Sequence, residues 1–251
     1  MKHVTLVPGA LLGALVLLLT GCQTRSISNS GYPGESRGSY HDSFRGELSQ
    51  LDVVGVAPDK AITEDDIQAA LRTPSAARLT SDSRILLIQS GAEFPDAPML
   101  AALKEHYHVA PFSGRPSHKK DDGHDGPSFS KNLRLAAARG GYDKVVCYWG
   151  VLESARENHL TSLVSWVPIV GYTIPDKTDH MRIQLKAAIV DVATGSWTIV
   201  SPPAAESSKL STVLSRKESD QSLVQKLKAE GYRSLVQTLR EQPAAKVAAA
   251  H

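Results

Sequence analysis

The sequence predicts one α/β domain of three layers: a mixed β-sheet with a hairpin towards its C-terminal end and a packed terminal helix. Three observations carry this. Apolar runs of strand length, "RILLIQS" and "DKVVCYWGVLES", alternate with segments whose apolar residues recur at helical spacing. The stretch "HMRIQLKAAIVDVATGSWTIV" has the alternation and the central turn of a hairpin. Near the C-terminus, "SDQSLVQKLKAEGYRSLVQTLR" sets an apolar stripe along a long helix. Strands interleaved with helices bury a sheet on both faces.

The N-terminus reads separately. Lys2 and His3 precede a mostly apolar run from Val4 to Leu19, and the small residues Thr20 and Gly21 follow. A basic start, an apolar centre and a small-residue exit describe a signal peptide over residues 1–21. A transmembrane helix needs about 20 continuous apolar residues, and Pro8, Gly9, Gly13 and Thr20 interrupt this run. The residues Leu19-Thr20-Gly21-Cys22 resemble the lipobox of bacterial lipoproteins. The resemblance implies that the Cys22 thiol takes a diacylglyceryl group, that cleavage precedes it, and that the new amino terminus is acylated, with palmitate a typical chain. Such an anchor is essentially permanent, at about 0.8 kcal/mol per buried methylene. Gln23 stands where an aspartate would resemble the inner-membrane retention signal of enteric bacteria, which points to the outer membrane, facing the periplasm. Residues 22–46 are rich in serine and glycine and poor in branched apolar side chains, the composition of a disordered tether.

Order is expected to begin near Leu48, in a domain over residues 47–242. Thr63 with Asp66 forms a capping-box pattern for a short helix ending before Pro74. Arg84 to Ser90 is a buried strand. Asp96 is the N-cap candidate of the next helix, with Met99, Leu100, Leu103 and Tyr107 on one face. "HVAPF" is a second short strand. Phe129, Leu133, Ala136 and Ala137 share a face of the following helix, which Gly140-Gly141 ends.

Asp143 to Ser154 is apolar throughout, as a central strand covered on both faces requires. Cys147 in its middle reads as a buried structural thiol, and with Cys22 acylated it has no disulfide partner. Met181, Ile183, Leu185 and Ala187 alternate with polar residues, and Thr194-Gly195 turns the chain into Trp197 to Val200. Leu223, Leu227, Gly231, Leu235 and Leu239 form the stripe of the last helix, and residues 243–251 are a flexible tail.

A helix ending in "AAARGGYDKVVCYWGVLE", then a strand leading to "IVDVATGSW", resembles the envelope lipoprotein group around the TolB amino-terminal domain and CsgG. The motifs are structural: Gly141 ends a helix, and Asp191 caps a turn that Gly195 completes. The resemblance covers roughly Arg84 to Val200. It implies binding, assembly and transport support, with no shared catalytic residues.

Composition excludes some functions. With 28 Lys and Arg against 26 Asp and Glu the formal charge is +2, and loss of Lys2 with the leader lowers it by one. So balanced a chain has no electrostatic footprint for nucleic acid. His118, Asp121, Asp122, His124 and Asp125 crowd the stretch "SHKKDDGHDGPS". Its partial calcium-loop spacing lacks a side-chain oxygen at Gly123 and the bidentate glutamate at Asn132, so it reads as a solvated loop and no metal is expected. No cofactor motif, nucleophile elbow or zincin signature occurs. Glu153 to His159 offers two carboxylates and a histidine at a strand end, the basis of an alternative reading as an envelope hydrolase.

The remaining feature is "LTSLVSWVPIVGYTIP", Leu160 to Pro175. Pro168 and Gly171 divide it into two short extended arms. It is either a flap folded back onto the core or a projecting apolar loop that meets a partner or membrane. Two transmembrane strands of about 9–11 residues do not fit within it. Trp166, Val167, Ile169, Val170 and Tyr172 are the candidate contacts. The expected role is that of a lipid-anchored, non-enzymatic envelope protein that binds a protein partner, with homo-oligomerisation or a place in a transport system as further possibilities.

Overall fold

The computed structural model describes residues 23–29, 46–56, 61–72, 77–116, 126–158, 177–211 and 216–242. The expected leader and Cys22, the metal-like sequence 117–125, the apolar segment 159–176 and residues 243–251, expected as a tail, lie outside them. Within them the strands are β1 (Gln23–Ser26), β2 (Arg84–Gln89), β3 (His108–Phe112), β4 (Lys144–Asn158), β5 (Lys177–Asp191), β6 (Trp197–Val200) and β7 (Ala205–Ser211). The helices are α1 (Gln50–Val54), α2 (Glu64–Arg72), α3 (Ala97–Lys104), α4 (Gly126–Arg139) and α5 (Arg216–Arg240), with a 3-10 turn at Ile27–Asn29.

One mixed sheet of seven strands runs β3-β2-β4-β5-β6, with β1 on β4 and β7 on β5. Strands β2, β3 and β4 are parallel, and the other pairings are antiparallel. β4 and β5 form the backbone of the fold, paired from Lys144↔Asp191 to Asn158↔Lys177. At about 3.3 Å per residue these 15-residue strands span about 50 Å. Since β5 occupies one edge of β4 throughout, β2 (on Lys144 to Tyr148) and β1 (on Val151 to Ser154) share the other edge. They meet there end to end.

Alternation along the strands feeds two cores. Ile85, Leu87, Val146, Tyr148, Ile183 and Leu185 face α3 and α5. Leu86, Ile88, Val145, Cys147, Trp149 and Val190 face α1 and α4. This is the expected three-layer arrangement. The last helix buries the predicted stripe Leu223, Leu227, Gly231, Leu235 and Leu239. A Cβ on Gly231 would lie 3.0 Å from Leu185 Cδ1, so glycine allows the helix close to the sheet. On α4 the buried apolar pair is Leu133 and Ala137, beside buried Ser130, whereas Ala136 faces solvent. The α4 stripe follows an i, i+4 row.

The expected turn chemistry is present. Gly141 takes φ 75° after α4, and Tyr142 N donates to Ala137 O at 2.9 Å. Asp191 Oδ1 accepts from Thr194 N at 2.8 Å and Thr194 Oγ1 at 2.9 Å, and Gly195 has φ 76°. The Thr63–Asp66 capping box forms reciprocally, although α2 buries none of its residues. Asp96 occupies the N-cap of α3 but makes no side-chain cap bond. Its carboxylate is engaged elsewhere.

The reading of residues 22–46 as a disordered tether does not hold at its start. Residues 23–29 belong to the fold: β1 pairs with β4 from Gln23↔Ser154 to Ser26↔Val151, and Ser26 and Ile27 are buried. An edge strand is held by backbone hydrogen bonds, which low side-chain hydrophobicity does not forbid. Ile27 is the one aliphatic residue in that stretch, and it supplies the packing anchor.

Candidate functional site at one end of the sheet

β1 runs antiparallel to β4, so its first residue points to the end of the sheet where β4 finishes and β5 starts. Cys22 is bonded to Gln23, and consecutive Cα atoms are 3.8 Å apart. The β4–β5 ladder continues four pairs beyond Ser154↔Met181, about 13 Å, to Asn158↔Lys177. Those two residues are the ends between which the apolar segment is strung. Trp166, Val167, Ile169, Val170 and Tyr172 themselves lie outside the described residues, as does Cys22. The fold therefore brings the flanks of both sequence-predicted sites to one end of the sheet.

Behind β1 a polar network grips the segment. Ile27 packs where β4 has Gly150; a Cβ there would lie 2.7 Å from Ile27 Cδ1 and 2.6 Å from Leu185 Cδ2. Ser26 Oγ donates to the Glu47 carboxylate and accepts from Ser28 N at 3.1 Å. Ser28 Oγ donates to Ser90 O at 2.6 Å and accepts from Gln89 Nε2 at 3.0 Å. Leu48 is held on both sides, its N–H donating to Ser90 Oγ at 2.8 Å and its carbonyl accepting from Trp149 Nε1 at 2.9 Å.

The second half of the network centres on Asp96. Lys228 Nζ, on α5, donates to Asp96 Oδ2 and to Ile27 O, both at 2.8 Å. Tyr232 Oη donates to the same carboxylate oxygen. Tyr148 Oη donates to Gln89 Oε1 at 2.5 Å, and Asp96 N donates to that oxygen at 2.7 Å. Burial, then the Asp96 charge, pushes the Tyr148 phenol well up. Burial likewise raises Tyr232, reinforced by Tyr148 and Asp96. Both phenols therefore stay protonated and serve as donors. Burial raises Glu47, against the lowering effects of the Ser26 bond and Lys186.

An open cleft of about 400 Å³ lies over this network, at the C-terminal end of β2, with Glu93, Phe94, Arg115, Gln221 and Gln225 on its walls. In α/β sheets ligands often bind outside the carboxyl ends of strands. Here Ile27 and Ser28 line that position. The lining includes no cysteine or histidine, and Ser28 donates to a carbonyl rather than to a base. Nucleophile–base geometry is lacking among the lining residues.

The other sequence candidates sort as follows. Glu153 Oε2 accepts from Arg182 Nε at 2.7 Å and from Nη2, and Arg182 also reaches Glu206 at 3.8 Å, a cross-strand ion ladder. His159 lies outside the described residues. Among the described residues no group of three or more His, Cys, Asp or Glu could hold a metal, and no helix is long and apolar enough to cross a membrane. Cys147 is fully buried, and burial pushes its thiol well up, with Glu47 adding to the rise.

Comparison with known proteins places the chain. A family model described as YafT bacterial lipoprotein matches residues 49–242, from the start of α1 to the end of α5. The chain belongs to this family. As a YafT lipoprotein it is associated with the bacterial envelope, and β1 with its 3-10 turn precedes the matched residues. No curated protein matches it. Among solved structures it is similar to a PelC dodecamer from Paraburkholderia phytofirmans, at 14% identity and a TM-score of 0.27, over 66% of this chain and 95% of that one.

Proposed function

We propose that this YafT-family protein is acylated at Cys22, sits on the periplasmic side of the outer membrane, and acts without catalysis by binding a protein partner or supporting an assembly. The observation that carries the reading is the shared end of the sheet: Gln23, next to the acylation site, pairs with Ser154, and the ends of the apolar segment pair four residues beyond. The described neighbours of both, Gln23 on one side and Asn158 with Lys177 on the other, lie towards the same end of the sheet, so Trp166, Val167, Ile169, Val170 and Tyr172 would meet their partner close to the membrane. The sequence resemblance to TolB-N and CsgG-like lipoproteins supports the same class of role. The hydrolase alternative loses Glu153, whose carboxylate is engaged by Arg182.

Two measurements test the proposal. Cys22→Ser should leave an uncut precursor without acyl mass, read by intact-mass analysis of the membrane fraction; wild-type protein that starts upstream of Cys22 would overturn the anchor. A photo-crosslinking residue at position 166, activated in growing cells, should capture a discrete envelope protein. Capture of nothing, together with hydrolytic turnover by the purified protein, would favour the alternative.

A further inference from the structure

The start of β1 leaves the anchor no slack. Gln23 is already paired, and the next residues are held by Ile27 under Gly150, by Ser28 between Gln89 and Ser90, and by the Lys228 ammonium on Ile27 O. A lipid on Cys22 would join the sheet within one residue. We propose that this YafT protein docks edge-on to the phospholipid surface, with the end of the sheet formed by β1, the outer halves of β4 and β5, and β7 seated on the headgroups. The inference rests on acylation of Cys22 and goes beyond it, since a lipoprotein with a long tether would have no preferred orientation.

The register states which residues are near the bilayer. Ser208 pairs with His180, which pairs with Ala155, one step beyond Ser154 and its partner Gln23; Ser208 is therefore one residue beyond the level of Gln23. Three inter-strand spacings separate them, about 14 Å. Asp82, just before β2, sits at the opposite end, roughly 45 Å away along the strands. The contact is not a polybasic one. Past the Ser154 level, Arg156, Lys177, His180 and Lys209 are interspersed with Glu157 and Asp179, so covalent attachment, not charge, sets the pose.

The test uses the acylated protein extracted from membranes and reconstituted into vesicles of phosphatidylethanolamine and phosphatidylglycerol. Acylation consumes the Cys22 thiol and Cys147 is buried, so a single introduced cysteine takes the fluorophore. Labels at Ser208→Cys and Asp82→Cys are compared with and without headgroup spin-labelled lipid. The Ser208 position should lose most of its emission, the Asp82 position should keep nearly all of it, and neither should respond to salt. Inserting about twenty Gly/Ser residues between Cys22 and Gln23 gives a spacer of about 25 Å and should abolish the difference. Equal quenching at both positions, or no effect of the spacer, overturns the docked pose. Intact mass separates the two layers: absence of acyl mass defeats the anchor itself, whereas acyl mass with equal quenching defeats only the orientation.

Discussion

The ammonium of Lys228 donates to the carbonyl oxygen of Ile27 at 2.8 Å across 201 residues of sequence, and to Asp96 Oδ2 at the same distance. One side chain thereby joins the last helix, the start of α3 and the first ordered turn after Cys22. Removing one partner of a buried ion pair costs more than the pair contributes, because the other charge is left behind. Lys228→Met should therefore cost about 2–3 kcal/mol, since Asp96 retains some solvent and the Tyr232 hydroxyl. Urea denaturation measures this, and limited trypsin digestion should find a faster cut at Arg25. The double variant with Asp96→Asn should cost less than the two singles combined.

Gly150 and Ile27 give a packing test. Ile27→Ala should cost about 2–4 kcal/mol, as a buried aliphatic truncation does. Gly150→Ala forces a methyl into Ile27 and Leu185 and should cost about 1–3 kcal/mol. Because the new methyl fills space that Ile27 vacates, the double variant should be more stable than additivity predicts. Strict additivity in thermal melts would show that Ile27 does not occupy this notch.

Glu47 predicts an unusual pH dependence. Its carboxyl lies above the ordinary value of 4.5, mainly because burial disfavours the charge. The folded state thus binds a proton more tightly than the unfolded state. Its contribution to stability rises as pH falls from neutral through the raised folded value, and levels off below about 4.5. Glu47→Gln keeps an acceptor for Ser26 Oγ but removes the charge. The variant should be as stable as the parent at neutral pH or more so, and should lack this rise. Melts between neutral and acidic pH decide it, and an unchanged profile would contradict the assignment.

The apolar segment separates binding from folding. Trp166→Ala with Ile169→Ser removes area that a partner would cover, at about 25 cal/mol per Å². Partner capture should fall while denaturation stays nearly unchanged. If these residues instead belong to the core, the same change opens a cavity and buries a hydroxyl, at a cost of several kcal/mol. A clear drop in melting temperature would place the segment inside the fold.

Local chemistry made much of this protein legible from its sequence. Gly141 and Gly195 occupy left-handed backbone that glycine tolerates, Asp191 closes its turn within three residues, and the leucines of α5 repeat at helical spacing. Such signals depend on near neighbours, so residue type and order suffice to read them. The site behind β1 depends on distant ones. Strand β1 is held by backbone bonds to β4, which are nearly blind to side-chain composition, so a serine-rich segment read as tether became part of the sheet. Lys228 lies within the buried side of an amphipathic helix, a position that only Asp96 and the Ile27 carbonyl make tolerable. Asp96, marked by sequence as a helix cap, turns its carboxylate instead to Lys228 and Tyr232, whose largely buried donors need a partner. The sequence determined the elements and suggested an acylation signal; tertiary structure decided that the chain is gripped from Gln23 onward, because that grip is assembled from groups up to 201 residues apart.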